Sequence, residues 1–194
     1  MKSFYCVAAV AALAVSSPAF AAESEGETQG NYSGARVEAR LGYETPTVSG
    51  DGDVFKIGSA VSYGGEVGYD IAAGKSWTVG PYAALEFSSV KLCDGEFCLK
   101  VDNNIGAGLR VGYGFSGKYI VYGKLGYARL KMTATDGIDS ESDSQNGVQG
   151  AIGFEGNIGK SAYWGAEINY GDYGKFEGIN LQRRHVAAKV GFRF

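Results

Sequence analysis

A period-two alternation of apolar and polar residues recurs along most of this chain, from Ala35 to the last residue. Successive side chains of a β-strand point to opposite faces of the sheet, so this alternation predicts strands rather than helices. The 31 glycines alternate with aromatic and aliphatic residues, as in strands rather than linkers. We therefore predict an all-β domain of eight strands, carried by these segments: 35–43, 61–71, 77–87, 105–113, 121–127, 148–158, 162–170 and 185–194.

The connections between these segments alternate in length. The short ones are residues 72–76, 115–118 and 159–161. The longer and more polar ones, which we expect to be loops, are residues 44–59, 88–100, 131–146 and 174–182. This alternation predicts an antiparallel up-and-down meander with its long loops at one end, as in a transmembrane β-barrel.

The apolar face distinguishes a barrel from a soluble sandwich, which also alternates but buries its apolar face. The strands are about ten residues long, which suits a tilted crossing of a bilayer. Aromatic residues occur near both ends of the apolar face, as in the two aromatic girdles of a membrane barrel. They are Trp77, Tyr113, Phe192 and Phe194 toward the short turns, and Tyr43, Tyr63, Phe87, Tyr127 and Tyr170 toward the long connections.

The opposite face carries charges of both signs in equal number, and we expect it to line the lumen. The cations are Arg36, Arg40, Arg110, Lys124, Lys189 and Arg193, and the anions are Glu38, Glu66, Asp70, Glu86, Glu155 and Glu167. Buried charges cost several kcal/mol each unless they are paired. We therefore expect these twelve side chains to pair across strands and fill the interior, which in an eight-stranded barrel is only wide enough for side chains. Arg129 and Arg184 lie on the apolar face, near the long connections.

The first 21 residues predict export. Lys2 precedes an apolar run, and Ala19-Phe20-Ala21 has the form of a signal-peptidase site. We assign residues 1–21 to a signal peptide, 22–32 to a short periplasmic arm and 33–194 to the barrel.

The chain ends on a strand whose apolar face is Val186, Ala188, Val190, Phe192 and Phe194. With the eight-strand meander, this ending resembles the small outer-membrane barrels of the OmpA, OmpX and Opa-like superfamily. The resemblance covers nearly everything after Tyr32. It implies a location in the bacterial outer membrane, with lipids and lipopolysaccharide as surroundings. It also implies that Val190, Phe192 and Phe194 form a C-terminal signal for the barrel-assembly machinery.

Cys93 and Cys98 lie in the segment CDGEFC, and export favours a disulfide between them. No further Cys or His follows at ligand spacing, so we expect no metal site there. The net charge of −3 does not suggest a nucleic-acid partner. We expect no cofactor, because Gly112–Gly117 matches a dinucleotide motif but leads into a strand and not a helix.

Two further motifs have catalytic or cation-binding interpretations. One family of lipid A enzymes with a barrel fold uses a His, a Ser two residues later and a Glu. In this chain the residue two positions after His185 is Ala187 and not a serine. We therefore expect no catalytic residue and place His185 at the rim of the interior. The acidic segment 136–144 lacks EF-hand spacing, and we expect a solvated, mobile loop there.

Three function classes remain from the sequence. The first is a non-enzymatic surface barrel with a filled lumen, which supports the outer membrane and displays loops to lipopolysaccharide, host or environment. The second is a narrow channel for small solutes. The third is a lipid A-modifying enzyme. The balanced interior charges favour the first class, because paired ions and long side chains obstruct a lumen.

Overall fold

A computed structural model describes residues 32–50, 53–137, 139–176 and 179–194. The predicted signal peptide and all of the predicted arm except Tyr32 lie outside the described residues. The strands are β1 (Gly34–Gly50), β2 (Asp53–Lys56), β3 (Ala60–Ala72), β4 (Trp77–Ser88), β5 (Lys91–Asp94), β6 (Phe97–Phe115), β7 (Tyr119–Asp136), β8 (Asp139–Ile158), β9 (Ala162–Phe176) and β10 (Ile179–Arg193). No helix in these ranges is long and apolar enough to cross a membrane.

Eight of these strands form a closed antiparallel ring, in the order β1, β3, β4, β6, β7, β8, β9 and β10. The ring closes between the first and last strands, which pair from Arg36 opposite Arg193 to Ser49 opposite Asn180. The predicted all-β, eight-stranded up-and-down barrel is therefore confirmed. The two short strands are additions outside the ring, with β2 paired to β1 and β5 paired to β6.

The predicted alternation of faces is also confirmed. Outward side chains are apolar and exposed, as in Leu125 (64 % exposed) and Ile152 (67 %). Inward side chains between them are polar or charged and buried, as in Glu155 (0 %) and Arg110 (1 %). Such a surface would be unstable in water and suits a hydrocarbon environment.

The prediction that the long connections are loops is wrong for most of their residues. β7 continues to Asp136 and β8 starts at Asp139, so the acidic segment is the end of a paired hairpin and not a mobile loop. The ladder of a sheet uses backbone groups, so a strand can continue through Ser, Thr and charged residues. The change to polar residues marks the end of the apolar band, not the end of the strands.

Inward glycines make room for long side chains. A Cβ on Gly42 would lie 1.9 Å from His185 Nε2, and a Cβ on Gly153 would lie 2.2 Å from the Tyr122 ring. The short turns use glycines differently: Gly74, Gly117 and Gly159 have positive φ, which favours residues without a side chain.

Candidate functional site

All twelve predicted interior charges are buried in the lumen, and two more join them. Glu44 and Arg183 pair with each other, and Arg183 Nη1 also lies 2.9 Å from Glu86 Oε2. We call these fourteen side chains, seven cations and seven carboxylates, the interior charge network. Sequence reasoning missed Glu44 because it lies in a segment assigned to a loop, and Arg183 because it lies between the last predicted loop and the last predicted strand. Both continue the inward period of β1 and β10.

Arg40 is the most connected member of this network. Its guanidinium nitrogens lie 3.1 Å from Glu38, 2.7 Å from Glu66, 3.0 Å from Glu86 and 2.5 Å from Glu167. These four carboxylates lie on four different strands, β1, β3, β4 and β9. One side chain therefore ties opposite walls of the barrel together.

A second centre lies nearer the short turns, around Asp70 and Glu155. Arg110 lies 2.8 Å from each of these carboxylates, and Arg193 lies 3.2 Å from Asp70 and 2.9 Å from Glu155. Lys189 Nζ lies 2.7 Å from Glu155 and 3.0 Å from Glu38, which connects this centre to Arg40. The interior charge network is thus continuous along the barrel.

The interior charges form ion pairs between different strands, but not with the residues directly opposite them in the ladder. Residues directly opposite in the ladder carry like charges in several places: Arg36 with Arg193, Arg40 with Lys189, Glu38 with Glu66, and Arg110 with Lys124. Opposite charges meet diagonally on neighbouring strands or across the lumen instead. The interior is narrow enough for long side chains to reach the far wall, so direct neighbours need not be complementary.

Tyrosines complete the polar interior, and sequence reasoning did not assign them a role. The Tyr122 hydroxyl donates to Glu167 (2.7 Å) and the Tyr163 hydroxyl donates to Glu38 (2.9 Å). The Arg110 guanidinium lies 4.0 Å from the Tyr122 ring centre, a cation–π contact. The sequence pattern could have identified these tyrosines as interior residues, because Tyr122 and Tyr163 alternate with the outward residues Val121 and Trp164.

An apolar cluster lies in the barrel interior at the end opposite the short turns. We call it the outer apolar cluster, and its buried members are Ile57, Val90, Val101, Ala128, Leu130, Tyr173 and Leu181. Below it, the Tyr173 hydroxyl donates to Asn104 (2.8 Å), whose amide donates to Gln149 (2.9 Å). The sequence did not predict this cluster, because most of its members lie in or beside segments that were read as polar loops.

At the short-turn end of the barrel interior, Tyr32, Ile120 and Tyr122 form a second buried cluster. The Tyr32 ring lies against Gly114, where a Cβ would come within 2.2 Å of it, and its hydroxyl donates to the Phe115 carbonyl at 3.1 Å. Burial raises the pKa of Tyr32, so this hydroxyl stays protonated as a donor. Both ends of the lumen are therefore occupied by side chains.

His185 lies near a serine and a carboxylate, but the serine is not two residues later in the sequence, where Ala187 stands. Its Nε2 lies 2.9 Å from Ser62 Oγ, and its Nδ1 lies 3.8 Å from Glu86 Oε1. This order of groups resembles a hydrolytic triad. All three side chains are at most 3 % exposed, and Glu86 also forms ion pairs with Arg40 and Arg183.

The remaining predicted residues lie at the two ends of the barrel. Cys93 and Cys98 face each other across the β5–β6 hairpin and form a disulfide. Val190, Phe192 and Phe194 point outward from the last strand, and the Phe194 backbone N–H donates to Ala35 O at 2.9 Å. Among the described residues, no group of three or more His, Cys, Asp or Glu side chains is arranged to hold a metal ion.

Comparison with known structures supports the architecture. Neisserial surface protein A is similar with a TM-score of 0.56 at 14 % identity, over 81 % of this chain and 97 % of that one. Ail, the attachment invasion locus protein of Yersinia pestis, solved with the heparin analogue sucrose octasulfate, is similar with a TM-score of 0.54 at 17 % identity. That match covers 83 % of this chain and 99 % of Ail.

A comparison with curated proteins finds no match. The model of the outer membrane protein β-barrel domain family matches residues 7–194, nearly the whole chain. The resemblance to small outer-membrane barrels is thereby confirmed. The chain belongs to the outer membrane protein β-barrel domain family and is a protein of the bacterial outer membrane.

Proposed function

We propose that this protein is a non-enzymatic surface barrel that supports outer-membrane integrity and presents a rigid extracellular sheet to lipopolysaccharide, host or environment. The observation that carries the proposal is the presence of buried side chains at three levels of the barrel interior. Tyr32 and its neighbours occupy the short-turn end, the interior charge network the middle, and the outer apolar cluster the far end. In a barrel filled in this way, the exposed surfaces are the parts available for contact with other molecules.

The extracellular end offers such a surface. The short turns of outer-membrane barrels face the periplasm, so the opposite ends of β5, β6, β7 and β8 extend outside. Between Asp139 and Gly147, β8 pairs with β7 on one side, while its pairing with β9 begins only at Val148. Unpaired backbone groups on an edge strand can add a strand from a partner.

Lipopolysaccharide is a second candidate contact of the outer surface. Arg129, Lys131 and Arg184 point outward and are exposed at or above the level of Tyr127 and Tyr170, which end the apolar band. Guanidinium and ammonium groups at this height can pair with the phosphates of the outer leaflet.

The alternatives receive less support from the geometry. A channel for small solutes requires a continuous aqueous path, and the buried apolar and aromatic side chains at both ends of the barrel argue against one. A lipid A enzyme requires a reactive group on the lipid face, whereas Ser62 and His185 are buried inside.

Conductance in planar bilayers tests the proposal. Refolded protein should insert without producing unitary current steps, while a porin run as a reference conducts under the same conditions. Recovery of folded protein from the bilayer, judged by heat-modifiable gel migration, verifies insertion. Reproducible current steps from the wild-type barrel would contradict the filled lumen and favour the channel.

A further inference from the structure

The lipid-facing wall contains a hollow of about 770 Å³. Two rows of outward side chains border it, each row following the ladder from strand to strand. One row runs from Tyr113 through Val121 and Phe154 to Ala166. The other runs from Val111 through Gly123, Ile152 and Ile168 to Val186.

Small residues create this hollow. Gly123 has no side chain, and a Cβ built there would meet nothing closer than 3.9 Å. Ala166, which lies opposite Phe154 on one side and Ala188 on the other, is a second small residue of the hollow. From β6 to β10 the hollow crosses four inter-strand steps, about 19 Å in all at ~4.8 Å per step. It is therefore an elongated apolar trough, with the proportions of an acyl chain.

The periplasmic end of the trough lies beside two of the short turns. The Trp77 and Tyr113 rings pack there, with centroids 5.0 Å apart. The Gly114 N–H donates to Ser76 O at 2.7 Å, which joins the first turn to this end of β6. Each of these turns carries an exposed lysine: Lys75 precedes Ser76, and Lys118 closes the turn that follows Phe115.

We propose that this trough and the two lysines form a binding site for an anionic phospholipid of the periplasmic leaflet. One acyl chain lies in the trough over Gly123, and the headgroup phosphate lies between Lys75 and Lys118 beside the Trp77–Tyr113 pair. Lysine is a flexible point charge that suits a phosphate at a membrane surface. The site is independent of whether the lumen conducts.

A second copy of the chain fits this surface less well than a lipid. A twofold contact places the same patch of both subunits face to face, so the patch must be self-complementary. Two concave troughs facing each other leave the hollow unfilled, whereas an acyl chain fills it. Lipopolysaccharide occupies the opposite leaflet, away from Lys75 and Lys118.

Native mass spectrometry tests this site. Wild-type protein is refolded in detergent with equal amounts of phosphatidylglycerol and phosphatidylcholine that carry identical acyl chains. We expect one retained lipid, with phosphatidylglycerol preferred, and a contribution to that preference of roughly fivefold from each lysine. The double variant Lys75→Gln/Lys118→Gln should bind both lipids equally.

Matched controls separate the site from general effects of charge or bulk. Lys91→Gln removes an exposed lysine of β5, at the opposite end of the barrel, and should leave the preference unchanged. Gly123→Leu should fill the trough and reduce retention of both lipids, while Ala83→Leu, outward on β4 and outside the trough, should not. Heat-modifiable migration verifies that each variant is folded.

Three results would overturn the proposal. The first is equal retention of the two lipids by the wild type, and the second is a loss of preference in Lys91→Gln as large as in the double variant. The third is a lipid-free dimer that disappears in Gly123→Leu, which would make a second copy the occupant of the trough.

Discussion

Arg40 of β1 lies directly opposite Lys189 of β10, and the two cations share the carboxylate of Glu38. Arg40 Nη1 lies 3.1 Å from Glu38 Oε1, and Lys189 Nζ lies 3.0 Å from Glu38 Oε2. Like charges placed directly opposite destabilise a ladder. Because these two strands close the barrel, Glu38 offsets a repulsion at the seam itself.

Glu38→Gln should lower the free energy of unfolding by about 3 kcal/mol, because it leaves buried cations without their shared partner. The measurement is the urea midpoint of the refolded protein in detergent. The control is Glu141→Gln on the exposed part of β8, which should change the free energy by less than about 0.5 kcal/mol. An unchanged midpoint in Glu38→Gln would show that the seam does not depend on this carboxylate.

Gly42→Ala should destabilise the barrel by about 1–3 kcal/mol through overpacking. The new Cβ would lie 1.9 Å from His185 Nε2 and 2.7 Å from Ser62 Oγ. In a His185→Ala background the same substitution should cost much less, because the ring is gone. Gly123→Ala on the lipid face has open space and serves as the control; equal losses at both glycines would refute a steric cause.

Cys93 and Cys98 should be oxidised in the exported protein, because both lie on the extracellular β5–β6 hairpin. Intact cells treated with an impermeant maleimide should show little labelling until a reductant is added. A Cys98→Ser variant supplies the positive control, since it leaves Cys93 as a free thiol. Strong labelling of the wild type without reductant would contradict the disulfide.

Phe194→Ala should reduce the amount of protein in the outer membrane of cells, with little effect on refolding in detergent. The ring is 73 % exposed at the lipid face, so its burial against lipid contributes at most about 1–3 kcal/mol to the folded barrel. Phe115→Ala, an outward aromatic near the same rim but away from the terminus, is the matched control. Outer-membrane levels equal to wild type would show that the last residue serves packing alone.

The direction of almost every barrel side chain was predictable from the sequence. Cβ atoms alternate along a strand as a local property of the backbone, so Arg36, Glu38 and Arg40 had to share a face whatever the strand paired with. The apolar residues between them then fixed which face meets lipid. The alternation of short and long connections, which is also a local feature of the sequence, predicted the topology of the barrel.

The partners of those side chains were decided by the tertiary structure. Arg40 reaches Glu167, 127 residues away, and Lys189 reaches Glu38, 151 residues away. Which groups meet across a lumen depends on the stagger of all eight strands at once, and no single segment encodes that stagger. The same dependence explains why direct neighbours such as Arg110 and Lys124 carry like charges.

The outer apolar cluster is a second case in which the tertiary structure, and not the local sequence, decided which residues meet. Val101, Leu130 and Leu181 are unremarkable apolar residues within polar stretches, and nothing local marks them as a core. They become one only because the strands continue beyond the bilayer and the hairpins of β2 and β5 bring Ile57 and Val90 over the lumen. The sequence by itself determined which face of the sheet each residue occupies, because that is a property of a single strand. The closed ring decided which residues are in contact, because contact requires every strand to be in place.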